Sequence, residues 1–223
     1  MGEYRRMRDD SVSRPAQSYL AAAAAAAALV SEPAVAERWA EPSALAGLSV
    51  GALAGHLARQ VFNVETLLAQ GACDDPPVPL LEHYARSAWL GAAPDAPANV
   101  TVRESGAAEA AGGPAELAGR TRAALARLAG RLPGEPHDRV VLVPWGPWPL
   151  TLEDLLITRM MEIAVHDDDL ACSVGLPAPD LPDEVTDTVV VLLARLAVRR
   201  HGPVTVVRAF SRAERAPATV AAF

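Results

Sequence analysis

Eight consecutive alanines, Ala21 to Ala28, bracketed by Tyr19-Leu20 and Leu29-Val30, leave a chain little choice of local structure. Alanine has the highest intrinsic helix propensity, and no glycine interrupts the stretch from Pro15 to Arg38. The sequence therefore predicts a long first helix there. Pro33 should end or kink it, because proline removes an amide donor and crowds the preceding turn. The apolar run is far shorter than the roughly 18–20 residues a membrane-spanning helix needs. A secretory leader is the competing reading, since Arg5, Arg6 and Arg8 precede the alanines and Ala34-Val35-Ala36 has the form of a cleavage site. Glu3, Asp9 and Asp10 in the would-be basic region, and the weak hydrophobicity of alanine, favour a helix behind a disordered tail over residues 1–13.

Length and charge narrow the partners. A chain of 223 residues, 51% hydrophobic, is the size of one domain with a short appendage. Its 20 basic residues, all arginine, are outnumbered by 27 acidic ones, for a net charge of -7. That balance gives no global attraction to nucleic acid or to an anionic membrane. Two well-separated cysteines, Cys73 and Cys172, provide neither a disulfide framework nor a cysteine-based zinc finger, which fits a reducing cytoplasm. Composition does not decide between a monomer and a homodimer.

Further along, Ser49 is an N-cap for a second helix running to Gln70, where Gly71 stops it. Leu53, Leu57, Val61, Val64 and Leu68 recur at the three-and-four spacing of a buried stripe, with His56 beside it. Residues 74–97 are proline-rich with a short helical piece around Leu80 to Leu90, and 99–113 read as loop. Pro114 to Arg131 forms a third helix with proline in its first turn. Arg139 to Val143, a turn around Gly146 and a return from Trp148 to Thr151 suggest a small hairpin. Thr151 then caps a fourth helix with an acidic first turn, lasting through Ala171 until Gly175 and Pro177. A fifth follows from Asp183 to Arg200, and the end beyond Pro203 is a short strand or helix. The expected fold is mainly α: a four-helix bundle over residues 14–175, a small hairpin before its last helix, and a C-terminal helical extension over 176–223 packed on it.

The fourth helix carries the chemistry. Glu162 and His166 are four residues apart, so both project from one face about one turn apart and within reach of a single ion. A third ligand must come from another helix, and His56 is the best placed. Two imidazoles and a carboxylate suit zinc and leave a position open for water or substrate. Arg159 and Asp169, three residues to either side of the pair, are placed to orient the carboxylate or an imidazole N–H. Gln60, Trp145 and Trp148 are candidate pocket walls. The plainer reading stays open: a Glu-x-x-x-His pair is often a solvated contact, and a lone inward histidine is often a hydrogen-bonded core residue. Asp167-Asp168-Asp169 lacks the spacing and glycine of a calcium loop and reads as a solvated face. His83, His137 and His201 read as surface residues, and Cys172 as structural. No phosphate loop, nucleophile elbow or Cys-x-x-Cys occurs, so no side chain is assigned as a nucleophile.

Three stretches together resemble the mycothiol-dependent maleylpyruvate isomerase family of actinobacteria, within the DinB-like superfamily of metal-binding helical bundles. Pro42-Ser-Ala-Leu-Ala-Gly-Leu-Ser-Val-Gly-Ala-Leu-Ala-Gly-His56-Leu57 is similar to the segment opening that family's second helix, whose histidine is a metal ligand. Arg159-Met-Met-Glu162-Ile-Ala-Val-His166-Asp-Asp-Asp169-Leu170 is similar to the helix giving the other two ligands, and Gly146-Pro-Trp-Pro-Leu-Thr-Leu to the turn before it. The family's tryptophan is Leu48 here, a packing change. The resemblance covers residues 15 to 175. It implies a divalent ion, zinc or alternatively nickel, held by His56, Glu162 and His166, and mycothiol as thiol cosubstrate. The implied activity is thiol transfer or isomerisation of a small electrophilic metabolite. No arginine of this sequence is carried over as a substrate clamp. The alternative is a metal-binding bundle that serves as an interaction or sensing module without catalysis.

Overall fold

The computed structural model describes residues 15–223 except 72, 89 and 94. The expected disordered tail lies outside the described residues. The chain is mainly helical with one small hairpin, as the DinB-like bundle requires.

The alanine run forms α1 (Pro15–Val30). It stops where Pro33 holds Glu32 extended, at φ -64° and ψ 135°, and a short α2 (Pro33–Glu37) follows. Ala22, Ala23, Ala26 and Ala27 are buried on α1. Their small side chains let neighbouring helices approach closely. Helix α3 (Val50–Ala69) starts where the Ser49 hydroxyl accepts the Ala52 N–H at 3.1 Å. Its buried stripe includes Leu53, Leu57, Val61, Val64 and Leu68. The proline-rich stretch yields α4 (Leu80–Arg86).

The segment 99–113, expected as loop, is mostly helical: α5 spans Pro97–Glu109. Its sequence has little apolar content, and what holds it is backbone contact. A Cβ added to Gly106 of α5 would lie 2.5 Å from the Ala52 carbonyl oxygen, and one added to Gly55 of α3 would lie 2.1 Å from the Gly106 oxygen. Paired glycines thus let α5 lie directly on α3, next to His56, whose own Cβ would be 3.2 Å from a Gly106 Cβ. A glycine that reads as a helix breaker in sequence is here a point of close approach.

Helix α6 (Pro114–Arg131) begins with proline as expected. Strands β1 (Val140–Leu142) and β2 (Pro149–Thr151) pair antiparallel, with Val141 opposite Leu150. The Val78 N–H donates to the Pro149 carbonyl at 2.9 Å and ties the segment leading into α4 to this hairpin. Helix α7 (Leu152–Val174) is capped by Thr151, whose hydroxyl accepts the Asp154 N–H at 3.0 Å, and ends at Gly175 with φ +75°.

Helices α1, α3, α6 and α7 form the bundle around one core, with α1 and α3 each packed against the other three. Helix α8 (Asp183–His201) packs on α7 and α1, and α9 (Pro203–Ser211), helical rather than extended, packs on α8. No helix among the described residues is long and apolar enough to cross a membrane.

Candidate metal centre

Helices α3 and α7 meet along the faces that carry the candidate ligands. Ser49 and Thr151 fix where each helix starts, and the Leu53–Leu57–Val61 stripe fixes which way α3 is turned. His56 Nε2 lies 3.6 Å from Glu162 Oε2, and His166 Nε2 lies 3.3 Å from the same oxygen. The imidazole rings meet edge to face, 4.6 Å between centroids. One donor atom from each residue falls within 4.8 Å of the other two, the arrangement that can hold an ion. Donors about 2.0–2.2 Å from a common centre in a tetrahedron stand roughly 3.3–3.6 Å apart, so the two separations from Glu162 suit a small divalent ion. The side chains are 12–15% exposed, buried enough to exclude bulk water yet not sealed.

Burial works against the Glu162 charge, but hydrogen bonds from His166 and His56 and the nearby Arg159 outweigh it and hold its carboxyl well below the usual range. Burial also favours neutral imidazoles. At His56 it prevails and pushes the pKa down. At His166 the bonds to Asp169 and Glu162 prevail and raise it to about 9. Asp169 Oδ2 sits 3.0 Å from His166 Nδ1, so it fixes the ring and leaves Nε2 turned to Glu162.

Arg159 is buried, and its hydrogen bonds go elsewhere than to Glu162: Nη1 donates to Gln60 Oε1, and Nε to Thr158 Oγ1 at 3.1 Å. It acts on Glu162 through its charge. Gln60 is itself buried and donates from Nε2 to the His56 carbonyl at 2.8 Å, while the Tyr19 hydroxyl donates to the Gln60 carbonyl. The Trp145 ring covers the guanidinium, 4.8 Å from its carbon, and remains partly exposed. Trp148 instead turns inward and donates from Nε1 to His83 Nδ1 at 2.9 Å.

Two residues read as surface are buried. His83, on α4, is 3% exposed, and burial lowers its pKa to about 4. Leu80, His83 and Tyr84 share one face of α4, a pattern present in the sequence but easily discounted among so many prolines. Asp167 is 2% exposed rather than solvated, with no hydrogen-bond partner among the described residues for either oxygen, and burial pushes its carboxyl up to about 7. Nothing in the spacing of three successive aspartates shows which one turns inward. Cys73 and Cys172 are unpaired thiols, and Cys172 is exposed rather than buried.

Comparison with curated proteins and with solved structures gave no match. The family model described as the mycothiol maleylpyruvate isomerase N-terminal domain matches residues 19–171, the span from the alanine helix through the helix bearing Glu162 and His166. With the bundle and the candidate centre both inside that span, the chain belongs to the mycothiol maleylpyruvate isomerase N-terminal domain family.

Proposed function

We propose that this protein is a metal-dependent, mycothiol-using thiol transferase or isomerase that acts on a small electrophilic metabolite in a reducing cytoplasm. The observation that carries the reading is the convergence of His56, Glu162 and His166 from two helices within 4.8 Å. Family membership supports mycothiol as the thiol. A divalent ion held by these three residues, zinc by the donor chemistry, favours the thiolate form of a thiol at neutral pH.

The chain's own contribution is to make that geometry stiff. Asp169 sets the orientation of His166, and the Gln60 amide ties Arg159 to the turn of α3 that carries His56. Glu162 stays ionised among charged and hydrogen-bonding neighbours and supplies one negative charge to the centre. Leu53 and Leu57 on α3 and Met160 and Ile163 on α7, neighbours in sequence of the three residues, are all buried.

The reading is tested with mycothiol and 1-chloro-2,4-dinitrobenzene. The sulfur–carbon bond forms, chloride leaves, and the thiol proton passes to solvent. Wild-type protein should accelerate adduct formation above the uncatalysed rate, and His56→Ala should return it to that rate. Stoichiometric metal together with no acceleration of this or other activated electrophiles would contradict catalysis and leave a bundle that binds metal for another purpose.

A further inference from the structure

Helix α8 is apolar on two opposite faces. Val185, Val189, Leu192 and Leu196 are buried on the inner one, which packs on α7 and α1. On the outer face Val190 and Val191 are 55% and 51% exposed, with Ala194 and Val198 partly exposed beyond them. Leu81 of α4 joins Val191, Ala194, Arg195, Val198 and Arg199 in lining one shallow groove there. A surface helix ordinarily turns polar residues outward, and one that is apolar all round is ordinarily covered. Six of the nine large apolar side chains exposed among the described residues lie between Val190 and Phe223, so the uncovered apolar surface belongs mainly to this part of the molecule.

The charge pattern of the helix says what covers it. Asp183, Asp187, Val191, Arg195 and Arg199 follow one another at intervals of four residues and so form a single ridge along α8. The ridge is acidic before Val191 and basic after it. Asp187 and Arg195 each stand four residues from Val191, and Asp183 and Arg199 each stand eight. Reversed end to end, the ridge is its own electrostatic complement. Asp183, Asp187 and Arg195 are exposed and form no ion pair among the described residues, whereas Arg199 lies 3.6 Å from Glu82 of α4. We propose that this face is a homodimer interface, in which two copies of the chain pair their α8 helices antiparallel about a twofold axis near Val191. That arrangement seats valine on valine at the centre, sets Asp187 opposite the partner's Arg195 and Arg195 opposite the partner's Asp187, and covers the groove. Parallel helices would instead set acid against acid and base against base. Ala194, beside the axis, has a side chain small enough for the two backbones to come close. Helix α8 carries none of the candidate ligands, so the interface stands apart from the metal centre.

Sedimentation equilibrium of the full chain tests the interface. The wild-type mass should move towards twice the 23.4 kDa of one chain as the protomer concentration rises to about 100 μM. Asp187→Arg and Arg195→Asp should each weaken dimerisation by about tenfold or more, because each sets like charges opposite one another twice across the axis. An equimolar mixture of these two variants, and the double variant Asp187→Arg/Arg195→Asp, should regain the dimer, since both restore opposite charges. Val191→Arg should be monomeric with the helical circular dichroism of wild type, which separates loss of the interface from loss of the fold. A wild type that stays monomeric across that range would overturn the proposal, as would a dimer that Val191→Arg and the single charge reversals leave intact. Charge reversals that weaken the dimer without rescue in the double variant would overturn the antiparallel pairing.

Discussion

At the scale of single residues, second contacts decide what each ionisable group does. Asp169 sits on the far nitrogen of His166, and outer partners of this kind orient a ligand and raise its basicity. Asp169→Asn should therefore weaken metal affinity by about 10- to 100-fold while leaving the fold intact, measured by competition with a chromophoric chelator. His83 is the opposite case. It is buried and neutral, and its Nδ1 must stay unprotonated to accept the Trp148 N–H. Its pKa falls from the ordinary 6.5 to about 4, so in that interval the unfolded chain binds a proton that the folded chain refuses. Stability from this residue is complete above pH 6.5 and is lost as the pH falls towards 4, by up to about 3 kcal/mol. Urea unfolding at pH 7.5 and 4.5 should show a larger loss for wild type than for His83→Gln; equal losses would contradict it. The convergence of His56, Glu162 and His166 was legible because Glu162 and His166 share one helix and His56 adjoins a clear apolar stripe. The burial of His83 and Asp167 was not, since each depends on which neighbouring element covers it.

At the scale of elements, capping and close approach position the centre. The starts of α3 and α7 were readable from Ser49 and Thr151, whose hydroxyls take up free amide N–H groups as their sequence context predicts. Helix α5 was hidden. Its small, polar residues carry no amphipathic signal, and its reason for being helical lies in the Gly55–Gly106 contact with α3, between residues about fifty apart in the chain. That contact gives a sharp prediction. Gly106→Ala places a methyl 2.5 Å from the Ala52 carbonyl oxygen, so backbone must move beside His56. It should destabilise the protein by about 1–3 kcal/mol and weaken metal binding as well. Gly119→Ala, in α6 with open space around it, should instead be neutral or stabilising by about 0.5–1 kcal/mol. Denaturant unfolding of the two variants side by side separates them, and a Gly106→Ala protein as stable as wild type would refute the packing argument.

At the scale of the whole molecule, the bundle brings together side chains more than one hundred residues apart in the chain, His56 on α3 and Glu162 with His166 on α7. An ion binding all three ties α3 to α7 and must stabilise the folded state, because the unfolded chain cannot offer the same site. The bundle was legible from helical periodicity and from the order of its motifs, while the packing of α8 and α9 left only an apolar stripe in the sequence to announce it. The central claim is that these three side chains form one metal site, and elemental analysis of protein purified without chelators tests it most directly. Wild type should carry close to one equivalent of a divalent ion, zinc foremost, and its thermal midpoint should fall when the ion is removed. His56→Ala should carry little and show no such fall. Metal-free wild-type protein that takes up none on addition, or a His56→Ala variant that holds as much as wild type, would contradict the account.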